Sequence, residues 1–203
     1  MVLAVAFVAV WFAAAFTLSI TGWFERFSSA ALFGIGALVS ATGFAVLHSI
    51  SERFRGFLRA RSLKRLTRMQ ALRFFGTLAL FKSSQHVLPA IFAIPTGLID
   101  DALAISSFYV AARLVSPHGR PRPGFIAWHI AGLGGLAISV IMALLTSTER
   151  FGLVERGVTS WPMTWFPMSL VPTFIGPLVL ICHLLALGAA HANRVKTGGS
   201  RKD

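Results

Sequence analysis

Acidic side chains are scarce in this sequence. Seven Asp and Glu stand against nineteen Lys and Arg, and charged residues of all kinds make up 13%, about half the share usual in soluble domains. Together with 55% apolar residues and a mean hydropathy of +0.72, this excludes an ordinary cytosolic domain and a disordered chain. Cys182 is the single cysteine, so no intramolecular disulfide framework can form. Tyrosine is nearly missing as well, one residue beside eighteen Phe and five Trp. The chain has no Gly-x-Ser-x-Gly, His-Glu-x2-His, phosphate loop, dinucleotide fingerprint or Cys-x2-Cys. No nucleophile with a base partner can be named, which argues against an intramembrane hydrolase.

Long apolar runs are abundant. A helix crosses the hydrocarbon core with about 20 mostly apolar residues. Six stretches meet or approach this: 2–23, 28–50, 72–94, 98–115, 124–146 and 166–190. The runs are long and lack the alternation of barrel strands. The expectation is an all-α integral membrane bundle of six spans forming a single domain. The first run has no Lys or Arg ahead of it, unlike a secretory signal with its basic n-region, and is read as a retained helix.

The basic residues predict the orientation. With the N-terminus inside, the inner side holds Arg53, Arg55, Arg59, Arg61, Lys64, Arg65, Arg68, Arg73, Arg113, Arg120, Arg122, Arg194, Lys196, Arg201 and Lys202. The outer side keeps Arg26, Lys82, Arg150 and Arg156. This bias points to a membrane protein with both termini in the cytoplasm. Residues 51–71 then form a basic cytoplasmic loop and 191–203 a basic tail. The net charge of +12 follows from topogenesis and attraction to anionic headgroups, worth about 1 kcal/mol per charge, and calls for no nucleic acid. Phe54, Phe57, Leu58, Leu63 and Leu66 do not share one helical stripe, so no single amphipathic anchor is read there. Trp23, Trp161 and Trp165 fall at outer boundaries, as in aromatic belts.

Helices associate in lipid where small residues let backbones approach. Ala30-x3-Gly34, Gly36-x3-Ser40 and Ala41-x3-Ala45 in the second run, and Ala131-x3-Gly135-x3-Ser139 in the fifth, predict contacts within the bundle, in a homo-oligomer or with a membrane partner.

Ionisable groups inside a bilayer usually face a cavity or a partner. Lys82, Gln85 and His86, followed by Asp100 and Asp101, form a polar set at the outer ends of spans three and four. They are the candidate ligand-binding residues, with an alternative in which the acids cap the fourth helix and Lys82 pairs with one of them. Each proline inside a helix frees the carbonyl four residues back, so Pro172 releases that of Met168 and Pro177 that of Thr173. With Pro89, Pro95, Gly97 and Pro167 they predict kinked or re-entrant backbone at the outer ends of spans three, four and six. On the inner side, His48, His129 and His183 lie at similar depth, as haem or metal ligation requires. Cys182 reads as a packing residue.

Leu88-Pro89-Ala90-Ile91-Phe92-Ala93-Ile94-Pro95-Thr96-Gly97-Leu98-Ile99-Asp100 resembles a Leu-Pro-x2-Phe-Ala-x-Pro-x-Gly-x-Gly-Asp motif of small multi-pass bacterial membrane proteins of uncharacterised activity. Val171-Pro172-Thr173-Phe174-Ile175-Gly176-Pro177, with His183 following, resembles their Val-Pro-x-Phe-x2-Pro-x4-His. In a third motif, Trp-Asn-x2-Gly-x2-Asp, Trp128 and Gly132 match, but His129 replaces Asn and Gly135 replaces Asp. Ile99 stands where the first motif has Gly. The resemblance covers roughly residues 73–190, agrees with the six-span topology and draws attention to Asp100 and His183. Three function classes follow: a small-molecule binding or transport protein with an outer-facing polar cavity, a haem b- or quinone-binding redox subunit using the inner histidines, and a non-catalytic accessory subunit.

Overall fold

The computed structural model describes residues 2–59, 62–117, 119–147, 154 and 157–199. Arg61, Arg150, Arg156, Arg201 and Lys202 of the charge count, and the tail beyond 199, lie outside these. The described residues form an all-α bundle without a strand, with one isolated bridge between Val115 and Pro121. Its helices are α1 (Val2–Ile20), α2 (Ser29–Ile50), α3 (Glu52–Arg59), α4 (Leu63–Arg68), α5 (Phe75–Ser84), α6 (Ala90–Arg113), α7 (Phe125–Thr146) and α8 (Gly176–Gly199).

Four helical segments are long and apolar enough to cross a membrane: Ser29–Ile50, Ala90–Arg113, Phe125–Thr146 and Val171–His191. A fifth, Ala6–Ile20, is apolar but shorter. Polarity is inverted relative to a soluble domain. Ile35, Leu38, Ile105, Phe108, Ile130 and Ile141 are each more than half exposed, while Thr67, Gln70, Ser107, His129 and His183 are fully buried. In water such an exterior would be a large aggregating patch; against lipid it is the matching surface.

Three sequence expectations are corrected. The stretch 72–94 is not one span. α5 ends at Ser84, and Gln85–Pro89 makes a turn with His86 at φ 57, because Pro89 restricts the residue before it and restarts the chain as the N-cap of α6. The helix expected as the fourth span begins at Ala90, not Leu98, and runs through Pro95, which sits in its second turn. Residues 51–71 are not a loop. They break into the two short helices α3 and α4, and Leu63, Leu66, Thr67 and Gln70 are buried in the bundle. Phe54, Phe57 and Leu58 hold i, i+3 and i+4 positions within α3.

α4, a 3₁₀ stretch at Met69–Phe74 and α5 join without leaving right-handed helical dihedrals, since Arg68, Met69, Phe74 and Phe75 all stay in that region. The resulting rod, Leu63–Ser84, is about 36 Å long by the rise of its parts. It runs antiparallel to α6, with Gly76 against Gly97 and Asp100. Two apolar clusters fill the bundle. One gathers Leu63, Leu66, Val110, Phe125 and Val179; the other gathers Phe33, Ala79, Phe92, Ala143 and Met163. Along α6 and α7 the residues between these clusters include Asp100, Gly132 and Gly135.

The last span begins irregularly, as the prolines predict. Val171–Ile175 is a π-turn, preceded by a cis Phe166–Pro167 bond. The carbonyls expected to lose their partners find others. Met168 O accepts from Val171 N at 2.9 Å, and Thr173 O accepts from the Trp11 indole N–H at 3.2 Å. The Gly36 approach predicted from small-residue spacing is here as well: a Cβ on Gly36 would strike the Pro172 carbonyl, whereas Gly34 has open space. Trp11→Phe keeps the ring but removes the donor, and should lower stability by about 1–3 kcal/mol, read as a shift in thermal unfolding of the detergent-solubilised protein.

Candidate functional site

The polar layer is built by spacing. Thr67, Gln70 and Arg73 follow at intervals of three, and in a 3₁₀ turn side chains at i and i+3 eclipse one another. The 3₁₀ stretch therefore lines up Gln70 and Arg73, Thr67 precedes them at the end of α4, and each of the three is at most 2% exposed. A straight α-helix would fan them by about 60° per step.

Arg73 is the centre of this face. Its Nε lies 3.0 Å from Asp100 Oδ1, and its Nη1 donates to the Gly132 carbonyl at 3.2 Å. The two charges are unequally enclosed, with Arg73 at 1% side-chain exposure and Asp100 at 19%. Asp100 borders two small cavities, ≈ 50 and ≈ 20 Å³, that share Phe33, Phe75, Ser139 and Val171. The larger also touches Arg73, Pro172 and Gly176 of the irregular turn. At roughly 10–15 Å³ of occupied volume per water, it has room for about three or four waters. Its walls are otherwise apolar, so the carboxylate, Ser139 and Arg73 are the polar features a guest meets there.

Below Arg73 lies a histidine pair. His129 Nδ1 and His183 Nδ1 are 2.7 Å apart, and His129 Nε2 lies 3.3 Å from Thr67 Oγ1. Trp128 flanks both rings, and its indole donates to Ser106 at 2.9 Å. Gln70 Nε2 donates to the Val179 carbonyl at 3.1 Å. Three buried polar atoms of this layer have no partner: Gln70 Oε1, Arg73 Nη2 and His183 Nε2.

The predicted outer site does not assemble around Asp100. Lys82 lies about 14 Å further along the rod than Arg73 and donates to Gln85 Oε1 at 3.4 Å on the exposed surface. His86 is exposed in the turn. Asp101 does not cap the start of a helix, because α6 starts eleven residues earlier; it accepts from Thr77 N at 3.1 Å and Thr77 Oγ1 at 2.9 Å, tying α5 to α6. Of the three inner histidines, only His129 and His183 meet. His48 is exposed on α2 and stacks on Phe44. Among the described residues no three His, Cys, Asp or Glu side chains converge as a metal set. Cys182 is buried in the apolar cluster. Ile99 and Gly135, which both depart from the resembled motifs, face each other: a Cβ on Gly135 would meet Ile99 Cγ2 at 2.7 Å.

Arg73, Gln70 and Thr67 escaped the sequence reading, which assigned the first to the basic surface. Their three-residue spacing is the signal that could have found them.

The fold and site thus define a helical bundle with helices able to span a membrane and an ion pair at mid-height whose arginine is buried and whose carboxylate borders a cavity. The chain belongs to the family described as Domain of unknown function (DUF8737), which it matches over residues 30–189. No curated protein and no solved structure matches it.

Proposed function

We propose that this is a six-span protein of the bacterial cytoplasmic membrane, with both termini cytoplasmic, that binds or transports a small solute at the Arg73–Asp100 centre. The spans are α1, α2, the Leu63–Ser84 rod, α6, α7 and α8. The rod's length of about 36 Å supports counting it as a crossing, and the excess of Lys and Arg on one side supports the orientation. One observation carries the function: a buried ion pair at mid-height whose carboxylate opens onto a cavity. Sealing charges there is costly, and a carboxylate left partly open keeps a ligand group available. The resemblance to small multi-pass bacterial membrane proteins adds support, since its Asp100 and His183 fall within this layer. Lys82, Gln85 and His86 stand at the outer approach.

The redox reading draws less support. Two nitrogens ligating one metal at about 2.0 Å each sit roughly 3–4 Å apart, whereas the His129 and His183 Nδ1 atoms are in direct contact at 2.7 Å.

The test is a solute screen by thermal shift on the purified protein, repeated with Asp100→Asn. The substitution should abolish the stabilising shift of any hit while leaving expression intact. An unchanged response removes Asp100 from the solute site.

A further inference from the structure

The polar side chains of α6 and α7 that border the two cavities offer oxygens that can only accept. Asp100, in the wall of both, has Oδ1 enclosed at 3.0 Å from Arg73 Nε, and among the described residues nothing donates to Oδ2. Ser139, also in both walls, spends its hydroxyl hydrogen on the Gly135 carbonyl at 3.1 Å. Thr96, one turn before Asp100 and in the wall of the smaller cavity, spends its own on the Phe92 carbonyl at 2.7 Å. A hydroxyl so committed has only lone pairs left for a guest. Arg73 borders the larger cavity, but its donors are directed elsewhere. Nε faces Asp100, Nη1 holds the Gly132 carbonyl, and Nη2 lies 3.8 Å from a Cβ built on Gly135, which borders neither cavity.

We infer that the junction of the two cavities at Asp100 is a site for a small protonated amine, an alkylammonium ion whose N–H groups are given to Asp100, Ser139 and Thr96. Acceptors without donors select a guest rich in donors, and an ammonium group is donor-only. A cation at Oδ2 lies nearer the carboxylate than the guanidinium behind Oδ1, so attraction exceeds repulsion. Phe33 and Phe75 border both cavities, and aromatic faces attract ammonium ions. A hard metal ion takes about six oxygens, more than these three side chains supply. The larger cavity, ≈ 50 Å³, admits about three or four heavy atoms at roughly 10–15 Å³ per water. The amine therefore carries a short alkyl chain, packed on Leu136 and Val140. The inference rests on the proposed solute reading and narrows it to one chemical class.

The test is a titration of the purified full-length protein with ethylammonium chloride, followed by thermal unfolding at constant ionic strength. Ethylammonium should stabilise the protein saturably, whereas potassium chloride, tetramethylammonium chloride and 1-propanol should not. Phe33→Leu keeps an apolar side chain without the ring and should weaken binding by about 2- to 30-fold. Ser139→Ala should weaken it as well, and Asp100→Asn should abolish it. Each variant is compared with its own unliganded unfolding temperature, so a change in intrinsic stability does not enter. No shift with ethylammonium overturns the inference. An equal shift with tetramethylammonium or potassium overturns it too, since charge alone then suffices, as does an equal shift with 1-propanol, since charge is then not needed. If the amine is inert while the solute screen gives an Asp100-dependent hit of another class, the amine assignment falls and the solute reading stands. Ethylammonium binding unchanged in all three variants would sink both.

Discussion

Arg73→Met should be among the most damaging single substitutions in this protein, costing about 3–5 kcal/mol. It leaves the Asp100 carboxylate at mid-height without its 3.0 Å counter-charge and the Gly132 carbonyl without its side-chain donor. For a chain of this length that corresponds to roughly 6–20 °C in thermal unfolding. The sign of the effect should reverse once the second charge is removed: Arg73→Met with Asp100→Leu should recover most of the loss, because an apolar pair in an apolar surround needs no compensation. Arg73→Lys should fall between, since an ammonium cannot serve the carboxylate and the Gly132 carbonyl through one rigid fork. Thermal unfolding of the variants in one detergent checks the order. A double variant no more stable than Arg73→Met would mean that the fold does not rest on charge compensation at this point.

The fold was legible where apolar length alone decides it. The runs at 28–50 and 124–146 match α2 and α7 closely because each is one uninterrupted helix. The irregular start of the last span was legible from proline spacing, down to the Thr173 carbonyl that Trp11 now satisfies. Legibility fails in the segment 51–94. Eight basic residues in 51–73 outweigh a weak apolar pattern, so hydropathy places Leu63–Arg73 in water. Packing decides otherwise: Leu63 and Leu66 are buried against α6 and α8, and the polar residues follow them inward. Arg73 was misplaced for the same reason. Charge counting assigns a residue by its neighbours, and the tightening to 3₁₀ after Thr67 brings Gln70 and Arg73 to one buried face. His129 and His183, read from the sequence as lying at similar depth, do meet, but their direct contact depends on Gly132. That residue matched the resembled motif, yet nothing in the sequence showed what it makes room for.

Gly132→Ala isolates that contribution. A methyl group at this position would occupy the space of the His183 ring, and three neighbouring groups limit relief. Phe125 and Trp128 flank His129, and Arg73 holds the Gly132 carbonyl from the other side. Overpacking of this kind costs about 1–3 kcal/mol. Displacing His183 also breaks the Nδ1–Nδ1 hydrogen bond and orphans a buried nitrogen, which adds about 1–3 kcal/mol. Gly134→Ala, two residues on, is the control. Nothing lies within 4 Å of a Cβ there, so the helix gains up to about 1 kcal/mol in intrinsic propensity and loses no contact. The two glycine variants should therefore move stability in opposite directions. Gly132→Ala should also change the ¹⁵N signature of His183, and Gly134→Ala should leave it untouched. Equal stability of the two variants would show that the ring yields to the methyl group, and that the imidazole is not held against α7 as tightly as its contacts imply.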